Sequence, residues 1–145
     1  MSANLLDNVK ISRVLGYNAA STTNRKGSII DMQGYDGVVF VATFGTMLTT
    51  SEIDLIIAQS DTNNTSAMAK SVAEASATSD GTDNVQLIVD VYRPTKRYLE
   101  AQVEIDTANA LIEGVIAIQY RGSKMPISQP AATLASGTFA SPANA

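Results

Sequence analysis

Residues 34–61, GYDGVVFVATFGTMLTTSEIDLIIAQSD, decide the fold of this chain. They contain two apolar runs joined by a short polar connection, and β-branched residues are frequent in both runs, as in the strands of a largely buried sheet. The alternating apolar residues of the first run are Val38, Phe40, Ala42 and Phe44. We interpret the two runs as a β-hairpin at the centre of a sheet.

The same alternation predicts strands along most of the chain. They are expected around Val9, Ile11 and Leu15 and over residues 28–32, 52–60, 84–92, 98–105 and 111–121. In the clearest one, Leu99, Ala101, Val103 and Ile105 alternate with Tyr98, Glu100, Gln102 and Glu104. In the last one, the residues expected on one face are Ile112, Ile116, Ile118 and Tyr120. Gly114 is expected at a bulge or at a point of close packing.

Three segments lack this pattern. Residues 18–27 predict a polar loop. Residues 62–83 are rich in small side chains, and a short helix and a long loop are alternatives there. The residues with helical spacing in this segment are Met68, Val72 and Ala75. Residues 123–145 combine prolines with Ala, Ser, Thr and Gly, and therefore predict an extended arm.

These patterns predict an all-β fold. We expect an antiparallel β-sandwich or jelly roll of about seven or eight strands, because the links between most strands are as short as hairpin turns. At 145 residues the chain is long enough for a single hydrophobic core. The predicted organisation is a β-sandwich domain over residues 1–122, which includes a short N-terminal arm, followed by the extended C-terminal arm over residues 123–145.

Composition excludes several classes of function. The formal net charge is −4, whereas a protein that binds duplex nucleic acid neutralises phosphates with Lys and Arg. The chain has no Cys and no His, which removes thiolate nucleophiles, disulfides and the commonest ligands of transition metals. We therefore predict no direct nucleic acid partner, no cofactor, no metal site and no catalytic residue.

The N-terminal residues lack the apolar run of a signal peptide, and no stretch approaches the roughly 18 apolar residues of a membrane-spanning helix. The expectation is synthesis in a cytoplasm without insertion into a membrane.

Glu100 and Glu104 lie four residues apart on one face of the predicted strand 98–105. At about 3.3 Å per residue their backbones are roughly 13 Å apart, too far for the carboxylate pair of a glycosidase unless the side chains converge. A solvated sheet face is the favoured interpretation. A carboxylate-based hydrolase is a third hypothesis, which predicts that Glu100→Gln or Glu104→Gln abolishes turnover.

Two polar clusters receive structural interpretations. Residues 80–84, DGTDN, offer oxygen ligands but lack the spacing and the terminal Glu of a calcium loop, so we interpret them as a turn. The densest basic cluster consists of Arg93, Lys96 and Arg97, flanked by Tyr92 and Tyr98. Such a cluster can stack and pair with single-stranded nucleic acid, but in an acidic chain we favour a hairpin tip. Its basic side chains are then expected to pair with Asp90 and Glu100, while Tyr35 and Tyr120 are expected at the edge of the core.

Three segments together resemble small virion proteins of tailed bacteriophages. They are residues 31–40, DMQGYDGVVF, residues 57–61, IAQSD, and residues 94–99, PTKRYL. In that pattern a Gly-Tyr-x-Gly-apolar strand precedes a strand that ends in a Gln-Ser-Asp-like turn, and a Lys-Arg-Tyr strand follows. The resemblance covers about residues 9–121 and includes capsid decoration, or cement, proteins with jelly-roll folds.

The resemblance implies a virion protein on the outer surface of the assembled head. It implies a homotrimer whose partner is the major capsid protein, with residues 1–8 or the C-terminal arm lying along that protein or along a neighbouring subunit. The family supplies no catalytic residues to carry over. A receptor- or glycan-binding β-sandwich module of a phage tail or a cell surface is the alternative function.

Overall fold

A computed structural model describes residues 4–138 of the chain, apart from the side chains of residues 70–72. The strands, in chain order, are β1 (Val9–Leu15), β2 (Asn18–Ser21), β3 (Arg25–Asp31), β4 (Gly37–Met47), β5 (Glu52–Ser60), β6 (Ala69–Thr78), β7 (Val85–Tyr92), β8 (Tyr98–Asp106) and β9 (Ala110–Tyr120). The only helices among the described residues are two short 3₁₀ helices, Leu5–Asp7 and Thr65–Ala67. The predicted all-β class is confirmed, with more strands than expected.

The strands form two antiparallel sheets. The first sheet has the order β1-β9-β4-β7, with β2 also beside β9, and the second sheet has the order β3-β8-β5-β6. From β2 onward every link crosses from one sheet to the other, except the link from β5 to β6. This winding is that of a jelly roll, and the predicted antiparallel β-sandwich is confirmed.

The core fills the space between the sheets. Each strand turns alternate side chains inward, and those positions carry mainly aromatic, leucine and β-branched residues, which suit a pleated surface. The largest fully buried apolar side chains are Phe40, Phe44, Ile53, Leu55, Ile57, Leu99, Ile105 and Ile112. The alternating apolar residues predicted for β4 and β8 face the core.

The predicted central hairpin is wrong. β4 pairs with β7 and β9 in the first sheet, whereas β5 pairs with β6 and β8 in the second. The link between them is tight, because Ser51 N donates to Leu48 O at 3.1 Å and Thr50 has a φ of 71°. Alternation identifies a strand and its buried face but not its partners, and two strongly apolar faces are also buried when their strands lie in opposite sheets.

Two segments predicted to lack strands contain them. The predicted loop 18–27 includes β2 and the start of β3. The predicted helix or loop over residues 62–83 holds the 3₁₀ helix Thr65–Ala67 and then β6. β6 is an edge strand that pairs only with β5, and two of its small side chains, Ala73 and Ala75, pack against the core. Pairing with β5 overrides the weak helical spacing.

A β-bulge in β9 changes which residues face the core. Thr43 pairs with Gly114, but the next residue, Phe44, pairs with Ile112, so β9 has one extra residue at this point. The bulge predicted near Gly114 is confirmed. Because the extra residue shifts the alternation by one, Ile112 lies in the core while Ile116 lies on the outer side, and the prediction that they share a face is wrong.

Beyond β9 the chain returns alongside β1. Ile127 N donates to Asp7 O at 3.0 Å, and the Gln129 side chain bonds to backbone atoms of Leu6, Val9 and Ile11. Residues 131–138 are exposed and contain no strand or helix. Residues 1–3 and 139–145, which belong to the predicted arms, lie outside the described residues.

Candidate protein-binding surface

The outer side of the first sheet carries six aliphatic side chains that are half-buried or exposed. The strand register places Ile11, Ile118 and Val39 in one row across β1, β9 and β4. It places Ile116, Val41 and Ile88 in the next row across β9, β4 and β7. We call these six residues the aliphatic face. Its most accessible members are Ile88, 52 % exposed, and Ile116, 41 % exposed.

The composition of β4 and β9 explains this face. An antiparallel sheet with one side in water commonly alternates apolar and polar residues. β4 instead has Val39 and Val41 between its core residues, and β9 has Ile116 and Ile118 on its outer side. The two rows thus form a contiguous apolar patch, a feature that marks interaction sites where it is large.

Polar residues border the aliphatic face. Arg13 lies beside Ile116 on β1, and Asp90 lies beside Val39 on β7. The Tyr120 ring lies against Gly37 of β4, and its hydroxyl donates to Asp90 Oδ1 at 2.7 Å. Position 37 is glycine because a Cβ there would overlap the Tyr120 ring.

The environment of Tyr120 keeps its hydroxyl protonated. Burial, followed by the hydrogen bond to Asp90 and the charge of that carboxylate, raises the pKa of Tyr120 to about 12. Tyr120 was expected at the edge of the core, but it lies on the outer side of the first sheet. Tyr35 does pack against the core, as predicted, and burial raises the pKa of its hydroxyl.

The basic cluster lies on the link between β7 and β8, which crosses between the sheets and is not the hairpin tip that was predicted. The guanidinium carbon of Arg93 lies 5.2 Å from the centre of the Tyr92 ring, and that of Arg97 lies 5.1 Å from the centre of the Tyr98 ring. Tyr92 and Tyr98, the rings on which a single-stranded nucleic acid would stack, therefore contact arginines of their own chain. A groove of about 450 Å³ runs beside the link and is lined by Met32, Gln33, Tyr35, Asp36 and residues 93–97.

The ion pairs of this cluster differ from those predicted. Arg97 binds Asp31 through two hydrogen bonds of 2.9 and 2.8 Å, and Lys96 Nζ lies 2.7 Å from Asp61 Oδ2. The hydrogen bond with Arg97 holds the pKa of Asp31 below its usual value and raises the pKa of Arg97. Asp90 and Glu100, the expected partners, bond elsewhere because β7 and β8 belong to different sheets.

Glu100 lies on the outer side of the second sheet, as the alternation predicts, but it is only 1 % exposed. Thr65 Oγ1, from the 3₁₀ helix before β6, donates to Glu100 Oε2 at 2.6 Å, and Gln102 Nε2 donates to Oε1 at 2.8 Å. The predicted solvated face is therefore wrong at this position, because the segment before β6 covers it. Glu104 lies farther along β8, opposite Asp54 of β5.

Residues 80–84 connect β6 to β7, consistent with the predicted turn. Asp80 Oδ1 accepts a hydrogen bond from Thr82 N at 3.0 Å, and the hydrogen bonds of Thr82 hold the pKa of Asp80 below its usual value. Asp83 Oδ1 accepts from Met47 N at 2.9 Å and joins the loop to β4. Within residues 4–138, no group of three His, Cys, Asp or Glu side chains is placed to hold a metal ion.

Two features of the structure are not predicted by any motif in the sequence. The aliphatic face has a partial signal, the unbroken apolar run of residues 38–42, VVFVA, which indicates a strand that is apolar on both sides. No local sequence pattern predicts the hydrogen bonds of Gln129, because its backbone partner Val9 lies 120 residues away in the chain.

No protein-family model matches the sequence, and no curated protein matches it. Solved structures with a similar fold include the PBSX exported protein XepA, with a TM-score of 0.54 and 19 % identity over 97 % of this chain and 46 % of that chain. Dimeric latent PorU from Porphyromonas gingivalis has a TM-score of 0.46 and 9 % identity over 79 % of this chain and 13 % of that chain. The CBM22-1–GH10 modules of xylanase 10B from Clostridium thermocellum have a TM-score of 0.43 and 9 % identity over 86 % of this chain and 28 % of that chain.

The chain thus spans less than half the length of XepA. At this identity the likeness shows the fold. No helix within the described part of the chain is long and apolar enough to cross a membrane.

Proposed function

We propose that this chain is a structural protein of bacteriophage particles, a decoration protein that binds the outer surface of the assembled head and stabilises it. Its partner is the major capsid protein, and it acts as a homotrimer. The source of the phage assignment is the resemblance of residues 31–40, 57–61 and 94–99 to virion proteins of tailed phages.

The aliphatic face is the observation that carries the proposal. Removing apolar surface from water contributes about 25 cal/mol per Å² before the costs of association, and the six adjacent aliphatic residues offer such surface to another protein. Arg13 and Asp90 on opposite sides of the face add charges that orient a partner. These properties suit a protein that works by gripping protein surfaces.

Glu100, one of the two carboxylates in the hydrolase hypothesis, supports the same proposal, because it is engaged in structural bonds. Its oxygens accept hydrogen bonds from Thr65 and Gln102. We propose that the chain is not an enzyme. A measurable turnover that Glu100→Gln abolishes, in a variant that keeps its fold, would contradict this.

The fold is compatible with the proposal. XepA, a PBSX exported protein, has a similar fold across nearly the whole of this chain. A decoration protein that binds only the assembled lattice stabilises that state by mass action. Three linked subunits engage the lattice at a high effective concentration, so that weak individual contacts hold firmly. None of this requires a reactive side chain.

Purified protein added to undecorated phage heads tests the proposal. We expect saturable binding at a fixed ratio to the major capsid protein and an increase in the temperature at which the heads release DNA. The variant Ile88→Asp, on the aliphatic face, is expected to reduce binding at least tenfold, because a charge on this face prevents the association of copies that gives firm binding to the lattice. Gln86→Asp, which adds the same charge at an exposed position on the same strand, is the matched control and should bind normally. Absence of saturable binding to heads would contradict the proposal.

A receptor- or glycan-binding module is the second candidate. The groove of about 450 Å³ favours it, because it places the Tyr35 ring next to Gln33, Asp36 and Arg93, which offer hydrogen bonds to hydroxyl groups. This function predicts binding to host cells or to an array of glycans, with loss of binding in Arg93→Ala and no affinity for heads. The two candidates therefore give opposite results in the two assays.

A further inference from the structure

The C-terminal arm is anchored at the free edge of β1. Gln129 Oε1 accepts from Ile11 N at 3.0 Å, while Gln129 Nε2 donates to Val9 O at 2.7 Å and to Leu6 O at 3.0 Å. The side-chain amide thus occupies the place of a neighbouring strand, since it bonds both a carbonyl and an N–H group of β1. The point at which the arm leaves the body is therefore fixed.

Beyond this anchor the arm has a distinct composition. We call residues 131–145, AATLASGTFASPANA, the distal arm, and it contains no charged residue. Its described residues, 131–138, are all exposed, and Leu134 is completely so, at 102 %. The sequence adds a second large apolar residue at Phe139. Leu134 is thus a large apolar side chain that the described part of its own chain leaves uncovered.

The aliphatic face begins on the same strand. Ile11, whose N–H group bonds Gln129, is the first residue of the row that continues through Ile118 and Val39. Neither the face nor the distal arm contains a charged residue, and the face and residues 131–138 are at least partly accessible in the single chain. The two surfaces are complementary, and they start at the same edge of the sandwich.

We propose that the distal arm of one copy packs across the aliphatic face of a neighbouring copy. The contact joins two different surfaces, so it is heterologous, and it closes into a ring when each copy gives its arm to the next. This inference rests on the proposed homo-oligomer, and it assigns the arm and the surface that hold the copies together. Leu134 is the residue placed to enter the row of aliphatic side chains.

The length of the arm is sufficient for a contact between copies. Fully extended, the 15 residues of the distal arm reach about 50 Å. The face is crossed by four strands at a spacing of about 4.8 Å, so it is roughly 14 Å wide. The extended arm is therefore several times longer than the width of the face, and it is long enough to reach past the edge of its own body.

Masses measured by light scattering test the assignment. The full chain, of 15.3 kDa, is expected as an oligomer, and a chain that ends at Ala131 is expected as a monomer that keeps its fold, because it retains Gln129 and its hydrogen bonds. Ile88→Asp should also give monomers, whereas the matched control Gln86→Asp should keep the oligomer. An unchanged mass after truncation, or a full chain that is monomeric at all concentrations, would overturn the proposal.

Cross-linking identifies the direction of the contact. Because the chain has no cysteine, Leu134→Cys and Ile116→Cys introduce single thiols. The two variants carry different tags. When they are mixed and oxidised, we expect a disulfide that joins a chain with one tag to a chain with the other. Leu134→Cys mixed with Ser76→Cys, on the outer sheet edge at β6, is the control and should give none. If a chain that carries both Leu134→Cys and Ile116→Cys forms only a disulfide within a monomer, the proposed contact between copies is wrong.

Binding to heads is scored separately, so the two proposals fail in different ways. If the full chain binds heads saturably while truncation leaves its mass unchanged, the arm assignment is wrong and the decoration function stands. If truncation releases monomers but neither form binds heads, the arm assignment stands and the decoration function is wrong.

Discussion

The hydroxyl of Tyr120 donates a hydrogen bond to Asp90 at 2.7 Å, and this bond crosses β4, the strand between β9 and β7. The Tyr120 ring lies against Gly37, which pairs with Tyr120 on one side and with Tyr92 on the other. Three strands are thus joined by one side chain at the end of the sheet, beside the aliphatic face. The first two predictions concern this arrangement.

Gly37→Ala is expected to lower the free energy of unfolding by about 1–3 kcal/mol, because the new methyl group overlaps the Tyr120 ring. Gly16→Ala is the control. Its Cβ meets only the end of the flexible Arg13 side chain, and the change should stay within about 0.5 kcal/mol. Urea unfolding of both variants measures the difference. In a Tyr120→Ala background the cost of Gly37→Ala should largely disappear, and an unchanged cost would contradict the steric explanation.

The raised pKa of Tyr120 makes stability depend on alkaline pH. The folded-state pKa is about 12, and the unfolded value is roughly 10, so between these values the unfolded chain loses a proton that the folded chain keeps. The free energy of unfolding should therefore fall as pH rises from 10 to 12, with the contribution complete below pH 10. In Tyr120→Phe this part of the fall in the free energy of unfolding between pH 10 and 12 should be absent. Because the pKa of Tyr35 is also raised, only the difference between the two proteins reports on Tyr120.

The pair of Asp31 and Arg97 should contribute stability that acid removes. The lowered pKa of Asp31 means that the contribution is complete above the unfolded value of about 3.9 and is lost as pH falls through the folded-state pKa. Because both side chains are nearly half exposed, we expect Asp31→Asn to cost at most about 1 kcal/mol at pH 6 and less at pH 2. Asp61→Asn, which breaks the more exposed pair with Lys96, is the comparison and should cost less. Equal losses at both pH values would refute the ionic origin.

Thr65→Val should destabilise the second sheet by about 1–3 kcal/mol, because it removes a hydrogen-bond donor from the buried carboxylate of Glu100. Thr62→Val makes the same change at an exposed position in the same segment and should be nearly neutral. Thermal unfolding of the two variants provides the comparison. Similar melting temperatures for both would show that the bond contributes little.

Gln129→Ala should release the arm from β1, because it removes three hydrogen bonds to the backbone. Hydrogen exchange at the Ile11 amide is the direct measurement, since that N–H group loses its acceptor. We expect exchange at least tenfold faster there, with unchanged protection at Val41 in the centre of the sheet. Gln33→Ala, at an exposed position, is the control. Unchanged exchange at Ile11 would mean that the edge of β1 is protected by other means.

Strands with one strongly apolar face could be predicted from the sequence. In β4, β7 and β8 the alternation alone identifies the residues that face the core, because these strands pack against the opposite sheet along their length. The neighbouring strands of each strand could not be predicted in this way. Alternation does not distinguish a hairpin from two strands in opposite sheets, so the relation of β4 to β5 required the structure.

Local irregularities also limit prediction. Gly114 signals the bulge, but the alternation does not show that the extra residue moves Ile112 and Ile116 to opposite sides of β9. The apolar alternation of β6 is weak, because Ala73 and Ala75 are among its residues that pack against the core. Glu100 is buried by a segment that precedes it by more than thirty residues, as its bond to Thr65 shows. The decoration function, the homotrimer and the division at residue 122 stay predictions.

The pairing of β1 with β9 has a consequence for the newly made chain. Until β9 is available, β1 has no strand beside it and β4 keeps one edge unsatisfied, because β9 is the neighbour of both. Contacts between such distant parts of a sequence slow folding to milliseconds or longer, and unpaired strand edges invite aggregation during that time. Ribosome-bound chains of this protein should therefore expose these strand edges until β9 emerges.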